Sequence, residues 1–111
     1  MTNVNADHYT YRVRWSAEEE AYIGTVAEMP SLSWVDGEQV GAFEGIRALA
    51  AGVLDDMLVN GEILPKAIAD RSYSGKFMVR VTPEVHRQLA TDAAEQNVSL
   101  NRLAASRLVG A

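Results

Sequence analysis

Three short stretches alternate apolar and polar residues, a long helical stripe follows, and a fourth alternating stretch precedes two short helical stripes. In residues 8–15, Tyr9, Tyr11, Val13 and Trp15 fall on one face and Thr10, Arg12 and Arg14 on the other. That two-residue period predicts a strand with one buried side. Residues 21–27 repeat the pattern with Tyr22, Ile23, Thr25 and Val26, and residues 32–35 give a third run after Met29, Pro30 and Ser31. The polar turn Ser16, Ala17, Glu18, Glu19, Glu20 joins the first two runs, so an antiparallel meander is predicted. The period then becomes helical: Val40, Phe43, Arg47, Ala50, Leu54, Met57 and Leu58 recur at the required spacing, widened by Ile46 and Val53. Asp36 is placed to cap this helix, with Gln39 three residues on. Asn60 and Gly61 stop it, and Pro65 lies just beyond. Gly41 and Gly45 inside it each weaken a helix by ~1 kcal/mol relative to alanine, which predicts close packing against the sheet there.

Residues 76–81 read as a strand with Phe77, Val79 and Val81 on one side and Lys76, Met78 and Arg80 on the other. Thr82 then caps a helix that Pro83 opens, with Val85, Leu89 and Ala93 as its apolar stripe. Asn97 stands at the left-handed stop, and Ser99 caps a last helix carrying Leu100, Leu103, Ala104 and Leu108 inward. One strand and two helices of this size do not close a core alone. A second copy remedies this, its strand pairing antiparallel with the first. Such a ribbon fits the major groove of DNA, and the arrangement resembles the ribbon-helix-helix family of DNA-binding dimers. The competing place for residues 76–81 is a fourth strand of the front sheet.

On the dimeric reading, Phe77, Val79, Val81, Val85, Leu89, Leu100, Leu103 and Leu108 form the core between copies. Lys76, Met78 and Arg80 face base edges: Arg80 takes a guanine by paired hydrogen bonds and Met78 touches a thymine methyl. The start of the last helix, Ser99, Leu100, Asn101 and Arg102, meets phosphate through its free amides and side-chain donors.

Charge divides the chain at the same place. Residues 1–71 hold five cations against twelve acids, net −7, and residues 72–111 hold five against three, net +2, within an overall −5. Two modules with different partners are therefore expected, a front one over 1–71 and a tail over 72–111, joined through a hinge at Ser72, Tyr73, Ser74 and Gly75. The chain has 111 residues, 48% of them hydrophobic, which argues against wholesale disorder. The absence of cysteine excludes disulfides and thiolate metal sites. No apolar stretch nears the roughly eighteen residues that cross a bilayer, and the first seven residues lack a signal-peptide pattern. A cytoplasmic protein is expected.

The whole order resembles the HicB antitoxin family of toxin-antitoxin systems. The resemblance rests on Tyr11 to Trp15, on Tyr22 to Val26, on the helix start at Asp36 and Gly37, on Gly75 to His86, and on Asn97 to Leu103. It implies an α+β protein. The front β-β-β-α module would resemble a truncated ribonuclease H fold without catalytic acids, followed by a ribbon-helix-helix dimerisation domain. It implies an antitoxin that masks a small basic HicA-like ribonuclease toxin and represses its own operon at an inverted repeat. The assembly would be a homodimer, with pairing into tetramers left open. Asn97 departs from the glycine frequent at that position in the family.

Other chemistry is thin. His8 and His86 stand alone, without a partner at a telling spacing, and Asp55 and Asp56 point different ways on their helix. No cofactor, metal site or catalytic residue is expected, and the protein reads as a non-enzyme. Glu18, Glu19 and Glu20 are a solvated turn or a lure for a basic toxin. Trp34, with them, is the candidate toxin contact, and Trp15 is edge packing or a further anchor. The alternative function is a stand-alone ribbon-helix-helix regulator whose front domain senses a ligand. A residual ribonuclease H-like enzyme is the third reading.

Overall fold

Alternation in the first 36 residues builds a sheet because every second side chain has a helix to lie on. The computed structural model describes residues 4–110; Met1–Asn3, within the N-terminal stretch expected to lack a signal-peptide pattern, and Ala111 lie outside them. The chain divides into two units, Met1–Tyr73 and Ser74–Ala111.

In the front unit, β1 (Tyr11–Ser16), β2 (Ala21–Val26) and β3 (Ser33–Asp36) form an antiparallel sheet in the order β1-β2-β3. The meander is as expected. Val13 pairs with Gly24 and Gly24 with Trp34, so these three share the face that α1 (Gln39–Val59) covers. Glycine is required at 24 because a β-carbon there would stand 2.6 Å from the Ala42 carbonyl oxygen and 2.8 Å from Ile46 Cγ2. A β-carbon on Gly45 would enter the Trp34 indole, and one on Gly41 would enter the Asp36 carboxyl group. The helix glycines thus mark close approach to the sheet, as their cost in a helix interior predicted.

Two details of α1 differ from expectation. Its cap is Glu38, without a side-chain bond, and not Asp36. Asp36 ends β3 and its Oδ1 accepts the Glu38 amide at 2.9 Å, a turn one step before the helix. The buried stripe is also rotated. Ala42, Ile46, Ala50 and Leu54 are buried, with Leu49, Val53 and Met57 packed beside them, while Val40, Phe43 and Leu58 are exposed. Phe43 instead meets Tyr11 edge-to-face at 5.7 Å. Arg47 points outward and its Nε donates to Asp7 Oδ1 at 2.8 Å. That pairing holds the Asp7 carboxyl below its ordinary range.

The core of the front unit joins Tyr9, Val26, Met29, Ile46, Ala50 and Leu54 with Ala67 from the segment after α1. The tail unit consists of an extended segment, α2 (Pro83–Gln96) and α3 (Leu100–Val109). Thr82 caps α2 by accepting the Val85 amide, and Pro83 opens it. Asn97 closes it in the left-handed region, at φ 57° and ψ 43°. Ala93 and Leu103 are buried where the two helices meet. Arg107 of α3 reaches Asp92 of α2 at 2.8 Å, and Gln88 donates to the same carboxylate. Among the described residues no helix is long and apolar enough to cross a membrane.

Candidate functional site

The expected strand at residues 76–81 is extended but unpaired. It is neither a fourth strand of the front sheet nor part of any ladder. Its apolar side chains are therefore open to solvent: Phe77 is 74% exposed, Val79 61% and Val81 50%. Exposing a row of such residues beside two helices leaves the tail with a large uncovered apolar surface.

That surface is a groove of roughly 1120 Å³. Phe77, Val79, Val81, Leu89, Leu100 and Leu108 all line it. Six of the eight residues expected between two copies therefore converge on one concavity of a single chain. Leu103 does not join them, because it is spent on the contact between α2 and α3. Val85 is half exposed outside the groove.

The cationic side is less cleanly separated than strict alternation predicts. Lys76 and Arg80 border the groove, whereas Met78 is 83% exposed and lies apart from it. The pleat that sends neighbours to opposite faces is enforced by a paired strand, and here none is paired. Ser74 shapes the start of the segment: its hydroxyl accepts the Lys76 amide at 3.1 Å.

At the start of α3, Ser99 Oγ accepts the Arg102 amide at 3.0 Å. The cap thus uses the Arg102 backbone donor and the Ser99 acceptor. The amides of Leu100 and Asn101, first in the helix, have no intrahelical carbonyl to meet. They point out of a positive helix end with the Asn101 and Arg102 side chains exposed beside them. This is a small surface of free donors on the same unit as Lys76 and Arg80.

On the front unit, Glu18, Glu19 and Glu20 form an exposed turn, with Glu20 at φ 49°. Trp34 is half exposed, lying over α1 with one side against Gly45. Trp15 is more exposed and meets Tyr22 edge-to-face at 5.1 Å. Among the described residues no group of three or more His, Asp or Glu side chains is placed to hold a metal ion. His8 is bound to Asp70 at 2.7 Å through Nδ1.

Glu28 is the side chain that sequence reading passed over. It is 8% exposed, yet its carboxylate accepts the Thr10 amide at 2.8 Å, the Thr10 hydroxyl at 3.1 Å and the Ile68 amide at 2.9 Å. Burial pushes its pKa up, but hydrogen bonds from the Thr10, Ile68 and Glu28 amides and the Thr10 hydroxyl together outweigh that and hold it below the ordinary value. The available signal was an acid inside the otherwise apolar run Val26, Ala27, Glu28, Met29.

Together these parts define a small two-unit protein with a sheet-and-helix front and a tail that exposes an apolar groove. The HicB family model matches residues 59–108, from the last turn of α1 through nearly all of the tail. The match spans 50 of the 111 residues, and it is this stretch that is similar to the HicB family. No curated protein and no solved structure matches it.

Proposed function

We propose that the protein is a non-enzymatic antitoxin that neutralises a small, basic, HicA-like mRNA-cleaving toxin and represses its own operon. The tail acts as a ribbon-helix-helix dimer. Residues 76–81 of two chains pair antiparallel, which places Phe77, Val79 and Val81 over the groove of the partner and turns Lys76, Met78 and Arg80 toward the DNA. The observation that carries this reading is the convergence of the exposed segment and both helices on one apolar groove. Covering such a surface is favourable by about 25 cal/mol for each Å² removed from water.

The DNA function follows from the chemistry of the outward side. Arg80 reads a base edge, and the Leu100 and Asn101 amides with Arg102 hold phosphate. The front unit, read as a truncated ribonuclease H-like module, supplies the acidic surface that draws in a basic toxin. Its Glu18, Glu19 and Glu20 turn hastens encounter more than it tightens the final complex.

Two measurements test the two halves. Co-expression with the open reading frame beside its gene should yield a complex with a small basic protein and restore growth that the small basic protein alone arrests. Failure of both would remove the antitoxin role. Binding to the operator should weaken steeply as salt rises, since each phosphate contact releases counterions. Salt-insensitive binding would remove the DNA role.

A further inference from the structure

Strand β1 stands at the edge of the front sheet, and among the described residues no strand pairs with its outer side. The register decides which backbone groups that edge offers. The Ala27 amide donates to the Thr10 carbonyl at 2.9 Å, and the pairing of β1 with β2 continues in step as far as Ser16 opposite Ala21. Bonded and non-bonded pairs alternate along an antiparallel ladder. Thr10, Arg12 and Arg14 therefore turn their backbone groups toward β2. Tyr11, Val13 and Trp15 turn theirs outward.

Side chains give this edge two unlike flanks. On the α1 side stand Tyr11, Val13 and Trp15, with Phe43 edge-to-face on Tyr11, and both Trp15 and Phe43 are exposed. On the open side Arg12 lies in a row with Thr25 and Ser33, and Arg14 in a row with Ile23 and Val35. Neither row contains an acid. Both arginines are exposed, and among the described residues neither belongs to an ion pair. Two bare cations thus stand side by side in a unit whose acids outnumber its cations twelve to five.

We propose that the edge of β1 takes an extended segment of another protein as an added strand, with apolar side chains toward α1 and carboxylates toward Arg12 and Arg14. Backbone bonds along the edge supply affinity, and the alternating side chains supply the choice of partner. Charge removes the strands that this chain could offer itself. A second β1, pairing antiparallel, would add its own arginines to the open flank. Residues 76–81 of a second chain, with their apolar side on α1, would add Lys76 and Arg80. Like charges across a strand pair oppose both. Nucleic acid fits poorly too, since the two rows hold no ring to stack a base and the unit beyond them is acidic. A basic strand is opposed in the same way, so this surface is separate from toxin neutralisation and does not depend on it.

The test uses the full-length chain and two synthetic peptides, one alternating valine with glutamate and one alternating valine with lysine. The glutamate peptide should slow amide exchange at Tyr11, Val13 and Trp15 while leaving β3 unchanged. It should also bind about tenfold tighter than the lysine peptide, because each arginine passes from an opposed pair to a favourable one. In a chain carrying both Arg12→Glu and Arg14→Glu the preference should reverse. Both positions are exposed, and unchanged exchange in β2 verifies that this chain keeps its fold. The original chain decides the matter even without the variant. No protection of the three amides by either peptide, equal binding of the two peptides, or protection at β3 in place of β1 would overturn the proposal.

Discussion

The indole of Trp34 occupies the space that a β-carbon on Gly45 would need. Strand β3 and helix α1 therefore meet with nothing but a hydrogen atom on the helix side. The same closeness recurs at Gly24, where the obstacle is the Ala42 carbonyl and the fully buried Ile46.

The two glycines should respond differently to alanine. At position 45 the half-exposed indole can swing aside, and the helix regains ~1 kcal/mol of propensity. Gly45→Ala should thus cost about 1 kcal/mol or less, with a shift in tryptophan emission as the indole moves. At position 24 backbone blocks the way, and Gly24→Ala should cost about 2–3 kcal/mol. Urea unfolding of both variants measures the difference, and equal costs would contradict the packing described.

Glu28 should make stability depend on acid. Its carboxylate form is favoured in the folded chain, because its hydrogen-bond donors together more than offset burial. The unfolded chain consequently takes up this proton first. The stabilisation is complete above the ordinary carboxylate range and disappears as pH falls through the lowered folded value. At neutral pH, Glu28→Gln should lose about 2 kcal/mol. That deficit should shrink as the pH is brought down, and unfolding curves of both proteins across pH 7 to 3 would record it. Asp7 and Asp92 are also held below their ordinary values by Arg47 and Arg107, so the comparison with the variant isolates the Glu28 share.

A charge in the groove should prevent association. Val79→Asp puts a carboxylate among Phe77, Val81 and Leu100, where a second chain would strip its water. Sedimentation at micromolar concentration should show a dimer for the original chain and a monomer for the variant, with DNA binding lost as well. A variant that still dimerises would show that the groove is not the interface.

Arg80 should act on DNA alone. Arg80→Ala should weaken operator binding by about 1–3 kcal/mol and relax the preference at one base pair. Sedimentation and toxin binding should not change. Equal mobility shifts for the two proteins would take Arg80 out of base recognition.

Much of this architecture was legible because local chemistry and tertiary need agree. Thr82 with Pro83, Asn97 and Ser99 mark the ends of α2 and the start of α3, and each makes the backbone arrangement its side chain favours. Asn97 takes the left-handed bend that glycine fills more cheaply, so the turn forms without it. What the sequence concealed has physical reasons too. Asp36 and Glu38 both suit a helix start, and only the end of β3 decides between them. Val40, Phe43 and Leu58 are as apolar as Ile46, and the stripe turns away from them because Gly41 and Gly45 let the helix lie closest on their side. Two of the partners of Glu28 are backbone amides, one of them 40 residues away, and amides leave no trace in a residue pattern. Residues 76–81 have no neighbouring strand in the single chain, so nothing there fixes which side each residue faces.

The brace between Asp92 and Arg107 has a kinetic meaning. Each newly made tail can set the angle between its helices unaided, before it meets another molecule. On the proposed ribbon-helix-helix reading, two such halves need only collide and zip, with no slow refolding after contact, so that repression resumes quickly whenever fresh protein accumulates.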